Sequence, residues 1–111
     1  MKSKEFEKIA TRLIKHCQDT LLTKNEEYAR NGDRLWNFNE VARINKRSPL
    51  DVLMCMKAKH EQSIRDIVSD IGIGKYPTDE QMMEKWGDDI NYSILGLAII
   101  AEMRGKANDT D

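Results

Sequence analysis

The stretch from Thr78 to Ala101, TDEQMMEKWGDDINYSILGLAIIA, limits most strongly what this chain can fold into. At about 100° per residue, Met83, Gly87, Ile90, Ile94, Leu97 and Ala101 fall on one helical stripe. That spacing assigns the stripe to a core. Glu84, Asp88 and Asn91, spaced i, i+4, i+7, fall on a second stripe directly beside it. Two carboxylates and a carboxamide at the edge of a buried face are costly to place without a partner. A divalent cation is one suitable partner, and a set of basic side chains is another.

The remaining chain reads as helices joined by polar connections. Over residues 4–23, Phe6, Ile9, Ala10, Leu13, Ile14, Cys17, Leu21 and Leu22 follow the amphipathic template, with Ser3 as the expected N-cap. Residues 39–46 read as a short helix burying Val41, Ala42 and Ile44. Ser48-Pro49 opens a helix to about Ile71: Ser48 can cap, Pro49 suits the first position, and Asp51 suits the positive end of the dipole. Gly72 and Gly74 stop it. Thr78 with Gln81 makes a capping box, which starts the last helix at Asp79 and carries it to about Arg104-Gly105, before a frayed polar tail. No segment alternates as a strand does. The expected fold is an all-α helical bundle of three long helices plus one or two short ones, in a single domain over 1–111.

Composition excludes several classes of function. Hydrophobic residues make up 40% of the 111, enough for a core, and the net charge is −1. Such a balance argues against a dedicated nucleic-acid binder, which carries a basic patch. No apolar run reaches membrane-spanning length, and MKSKEFEKIA lacks the apolar centre of a signal peptide. Cys17 and Cys55 sit at or beside apolar helical positions and read as reduced core thiols of a cytoplasmic protein. A Cys–His metal site at His16 and Cys17 is disfavoured, because adjacent helix positions diverge by about 100°.

Two segments break the apolar pattern. Residues 24–40, KNEEYARNGDRLWNFNE, lose the helical period and carry the turn signal Asn31-Gly32-Asp33. Glu26, Glu27, Arg30, Arg34, Trp36 and Asn37 crowd here, in the kind of connection where binding residues concentrate. Arg30 and Arg34 suit phosphate oxygens, and Trp36 suits stacking on a base; Tyr28, Trp36 and Phe38 equally suit anchoring the loop to the core. In the Ser48–Ile71 helix, the stripe Leu50, Leu53, Ile64, Ile67, Val68 and Ile71 is interrupted by Lys57 and His60, with Glu61 at its edge. Such local inconsistency is expected at functional sites. The plainer alternatives are a hydrogen-bonded core histidine, a snorkelling lysine, and a surface glutamate pairing with Lys57 or Arg65.

If the two polar interruptions face each other, Glu61 meets Glu84 and Asp88, with Lys57, His60 and Asn91 adjacent. An all-oxygen set suits Mg²⁺, or Mn²⁺, shared with phosphate oxygens and water. Lys57, Arg30 and Arg34 would neutralise the phosphate charge of a nucleotide or other phosphorylated small molecule. A structural adaptor, with the two breaks salt-bridged to each other and no ion, uses the same residues.

Glu84-Lys-Trp-Gly-Asp88-Asp-Ile-Asn-Tyr92, followed by Ser-Ile-Leu-Gly-Leu-Ala, resembles the third-helix motif of the MazG-like, all-α nucleotide pyrophosphohydrolases. The Lys-x-Tyr and Asn-Phe pairs within 24–38, with Lys-x-Lys-His at 57–60, resemble small phage-encoded relatives of that superfamily. The resemblance implies a Mg²⁺-dependent enzyme that cleaves nucleoside triphosphates to monophosphate and pyrophosphate. It implies Glu61, Glu84 and Asp88 as metal ligands, with Glu61 and Glu27 (or Glu26) as the catalytic carboxylates. Lys57, Lys59, His60, Arg30, Arg34, Trp36, Asn37 and Asn91 would bind substrate. It also implies a homo-oligomer, dimer or tetramer. The family spaces its acids E-E-x-x-E and E-x-x-D; here the second motif is E-x-x-x-D, Glu84 to Asp88, and no E-E-x-x-E occurs. The alternative is a non-catalytic phage-type helical module that binds a nucleotide or a host protein.

Overall fold

A computed structural model of the chain describes residues 1–23 and 25–109, with the side chains of Glu26, Tyr28, Asn108 and Asp109 outside the described set. Expectations for Glu26 and for Tyr28 as a core anchor therefore fall outside the described residues. The fold is all-α. Three long helices, α1 (Ser3–Gln18), α4 (Pro49–Gly72) and α5 (Asp79–Asp109), are joined by the single-turn α2 (Asn25–Tyr28) and the shorter α3 (Trp36–Asn45). A π-helical turn, Asp19–Thr23, continues α1. Among the described residues no strand forms; one isolated bridge joins Arg30 and Asp33.

Local chemistry sets the helix ends. Ser48 Oγ accepts the Asp51 amide at 3.1 Å with Pro49 at the first helical position. Thr78 and Gln81 bond reciprocally: the Thr78 amide to Gln81 Oε1 at 2.9 Å, the Gln81 amide to Thr78 Oγ1 at 3.1 Å. Each pair satisfies amides the first turn leaves open. Asn31 and Gly32 both take positive φ, 54° and 76°, closing a two-residue turn in which Arg30 and Asp33 exchange backbone hydrogen bonds. Asp33 Oδ1 then accepts the Leu35 amide at 2.9 Å, so α3 begins at Trp36 rather than residue 39. At the chain start the expectation fails: Ser3 is already helical, and Lys2 occupies the cap position without a side-chain bond.

α5 is the spine. α4 crosses it antiparallel, Leu53 against Gly96 and His60 against Asp89 and Tyr92. A Cβ on Gly96 would stand 3.2 Å from Leu53 Cδ2. α1 lies on another side, with His16 and Cys17 packed on Gly87, where a Cβ would come within 2.9 Å of His16 Cδ2. The two glycines let three helices approach closely. The core occupies the far end of this arrangement: Leu35, Phe38 and Ala42 from α3 and its approach, Val52 and Leu53 from α4, and Ile99 from α5. Leu50, Tyr92 and Leu95 are half-buried against it.

These contacts correct the expected orientation of α5 in part: of the expected stripe Gly87 is buried and Met83 half-buried, but the positions beyond them are not covered. Asn91 and Ile99 are buried, and Asp88, Leu95 and Glu102 half-buried, so the side carrying Asp88 and Asn91 faces inward, while Glu84 one turn earlier stays exposed. Ile90, Ile94 and Leu97, expected in the core, are 37%, 44% and 71% exposed. Periodicity defines a stripe, but neighbours decide which stripe is covered, and α1 and α4 meet α5 at Gly87 and Gly96. The same shortage of neighbours leaves Phe6, Ile9, Ile14 and Leu22 of the first helical segment exposed, with Val41, Ile44 and Val68 further on. Cys17 is buried as expected; Cys55 is exposed, which corrects its assignment to the core.

Candidate functional site

The inward stripe of α5 forms one wall of a cavity of about 410 Å³. Thr20 and Leu21 of the π-helical turn line a second side, and Arg34, Asn37, Phe38 and Val41 a third. Val52 and Met56 of α4 face Asp88, Asn91, Tyr92 and Leu95 of α5. The volume falls within the range of small-molecule sites, as does the mixture of apolar walls with a few convergent polar groups.

Each polar group has a structural cause. Asp88 and Asn91 point inward because α5 is clamped by α1 at Gly87 and by α4 at Gly96. Burial pushes the Asp88 carboxyl above the ordinary aspartate range, the His60 charge opposes that shift, and Glu84 one turn away reinforces it. The Tyr92 hydroxyl is pushed up by burial and then by Asp88, and so is the Cys17 thiol, which donates to the Gly87 carbonyl at 3.5 Å. Asn91 Oδ1 is a buried acceptor with no hydrogen-bond partner among the described residues. An acceptor in that state costs free energy until something donates to it.

Next to the cavity the buried His60 faces the half-buried Asp89. His60 Nε2 and Asp89 Oδ1 are 3.9 Å apart, too far for a hydrogen bond, and both atoms are buried without another partner. The Tyr92 ring sits beside the imidazole, centroids 5.4 Å apart and tilted at 55°. His60 thus faces Asp89 and Tyr92 from a buried position, and among the described residues its Nε2 lacks the hydrogen bond expected of a core histidine.

Of the residues singled out in the sequence, Arg34, Asn37, Asp88 and Asn91 come together at this cavity. The others do not line it. Arg30 lies over the Trp36 ring, 4.8 Å from guanidinium carbon to centroid, so each covers the face expected to meet phosphate or base. Lys57 is half-buried on α4, while Lys59, Glu61, Glu84 and Glu27 are exposed. Among the described residues, no three or more His, Cys, Asp or Glu side chains are grouped so as to hold a metal. The three-acid set Glu61, Glu84 and Asp88 is therefore not assembled by the single chain. The reason is angular: Lys59 and Glu61 stand about 100° to either side of His60, and α4 turns only the His60 side to α5.

Sequence reasoning missed Asp89 as the partner of His60, and the apolar lining Leu21, Val52, Met56 and Leu95. Asp89 had a readable signal, since it follows Asp88 and falls on the flank opposite the apolar stripe; the lining depended on which stripe turned inward. Comparison of the chain with protein-family models, with curated proteins and with solved structures yields no match.

Proposed function

We propose that this chain is a helical nucleotide-binding module whose ligand occupies the cavity between α3, α4 and α5. The observation that carries the reading is the unpartnered, buried Asn91 Oδ1 in the wall of a cavity large enough for a nucleoside. Asn37 and Asn91 each offer an amide donor and acceptor, the pair of functions a base edge requires. Asp88 suits ribose hydroxyls or a donor-rich base edge, Phe38 and Tyr92 supply aromatic faces, and Arg34 supplies the cation for phosphate. The resemblance of Glu84–Tyr92 to the third-helix motif of the MazG-like nucleotide pyrophosphohydrolases implies the same ligand class. A cytoplasmic location and a homo-oligomeric state belong to this reading as proposals.

Thermal unfolding with a panel of nucleoside mono-, di- and triphosphates, with and without Mg²⁺ or Mn²⁺, tests it. A fitting nucleotide at a hundred times its Kd adds about 2.7 kcal/mol of stability. Asn91→Leu, similar in volume and apolar, leaves the free chain at least as stable and removes the ligand-induced shift. If no nucleotide moves the melting temperature, the proposal fails.

One observation favours hydrolysis as a second reading: Asp88, on the cavity wall, is close enough to Glu84 for their charges to interact. The single chain does not gather the three acids that Mg²⁺-dependent cleavage would use, so no step through the metal is derived. Pyrophosphate released from a nucleoside triphosphate with Mg²⁺, and its loss in Asp88→Asn, would establish that reading over the non-catalytic one.

A further inference from the structure

The α5 wall of the cavity sets hydrogen-bond acceptors side by side. Asp88 and Asn91 both line the cavity, three positions apart on one helix and so about 60° apart around it. An ionised aspartate accepts at two oxygens and donates nothing. Asn91 Oδ1 is a further acceptor, on a residue only 8% exposed, and it has no partner among the described residues. Burial pushes the Asp88 carboxyl up, so its charge stays costly until donors reach it. This wall therefore suits a ligand edge that carries N–H groups in a row with no lone pair among them.

The nucleobases differ in that property at the Watson–Crick edge, where proteins read an unpaired base. Guanine carries N–H bonds in succession, one at N1 and two on the 2-amino group. Adenine and cytosine each place an amino group beside a ring-nitrogen lone pair, which would point at the carboxylate. Uracil and thymine set one N–H between two carbonyls. A lone pair turned toward a partly buried carboxylate is repulsive, so this wall rejects the other bases as well as attracting guanine. Asn37, on the α3 side of the cavity, has an amide that can donate to guanine O6.

We propose that the cavity is selective for guanine, with the Asp88 carboxylate accepting from N1–H and one 2-amino hydrogen and Asn91 Oδ1 accepting from the other. The selectivity rests on the nucleotide-binding reading above and adds the identity of the base. The carboxylate contact is bidentate, an arrangement that fixes a planar pair of donors in orientation as well as in distance.

Calorimetric titration of the full chain at pH 7 tests it, using the 5′-mono- and triphosphates of guanosine, inosine, xanthosine, adenosine, cytidine and uridine with Mg²⁺ present. The guanosine nucleotides are expected to bind most tightly. Inosine nucleotides lack only the 2-amino group and should bind about 10- to 100-fold more weakly, the loss expected for hydrogen bonds to a charged acceptor. Xanthosine nucleotides carry a carbonyl in place of that amino group and should be weaker again. Asp88→Asn keeps one acceptor and gains a donor, so it is expected to reverse the order of guanosine and xanthosine nucleotides. Inosine binding equal to guanosine, or adenosine, cytidine or uridine binding as tight, overturns the selectivity and leaves the nucleotide-binding reading in place. An unchanged order in Asp88→Asn also overturns the selectivity. No binding by any of the set overturns both. The inosine comparison uses the unaltered chain, so it decides the matter whatever the stability of the variant.

Discussion

α5 carries two faces that sequence composition would assign in the opposite way. The face with Asp88, Asn91 and Glu102 turns inward, and the face with Ile90, Ile94 and Leu97 turns outward. The inward face still carries apolar anchors: Ile99, 1% exposed, and the half-buried Leu95 pack beside the polar groups. Polar groups there line a cavity rather than a packed interface, which is why they are tolerated. On the outward face Gly87 lies under His16 and Cys17 and Met83 is half-buried, while Ile90, Ile94 and Leu97 stay exposed. One face lines a space, and the other leaves its apolar side chains exposed.

The largest expected effect separates the faces directly. Ile99→Ala removes a fully buried side chain and should cost about 2–5 kcal/mol in denaturant unfolding. Leu97→Ala, two positions away, should change the stability of the monomeric form by less than about 0.5 kcal/mol. Equal costs would mean that α5 is rotated from the orientation described.

A smaller effect tests the clamp that sets this rotation. Gly87→Ala gains helix propensity of about 1 kcal/mol but puts a methyl 2.9 Å from His16 Cδ2. The expected net result is a loss of about 1 kcal/mol. Gly105→Ala, on the same helix with nothing within 4 Å of the new Cβ, should gain up to about 1 kcal/mol. Adding His16→Ala to Gly87→Ala should recover the loss. If Gly87→Ala stabilises as Gly105→Ala does, α1 does not hold α5 there.

What the sequence made legible follows the range of the interactions. The Ser48 cap, the Thr78–Gln81 box and the Asn31-Gly32 turn join residues no more than a few positions apart, and each forms as its residue types require. Asp88 and Asn91 were legible as anomalies, and with Arg34 and Asn37 they meet at the cavity. The rotation of α5 was not legible, because it depends on Gly87 meeting His16 and on Gly96 meeting Leu53. Those contacts span more than forty residues, and a hydrophobic period carries no information about them. Grouping Lys57, Lys59, His60 and Glu61 as one site failed for a simpler reason. Consecutive helix positions point in different directions, and only His60 is buried.

The smallest expected effect concerns the charge on the inward face. The Asp88 carboxyl is raised, first by burial, so the folded chain holds its proton to a higher pH than the unfolded chain does. With more protons bound in the folded state, stability falls as pH rises from the unfolded value toward the folded one. Above that window the full cost of the buried charge is present; below the unfolded value it is absent. Asp88→Asn should therefore stabilise the ligand-free chain at pH 7. Because the carboxylate is partly solvated, the gain should stay below about 1 kcal/mol, or a few degrees in Tm. The gain should shrink as pH falls through the window and vanish below it. The same substitution should weaken nucleotide binding at pH 7, since the carboxylate is the group proposed to accept from the ligand. A variant that gains stability while losing ligand would show that the inward face keeps its charge for binding. A variant that loses stability at pH 7 would instead make Asp88 a structural partner of His60, and the cavity would lose its main acceptor.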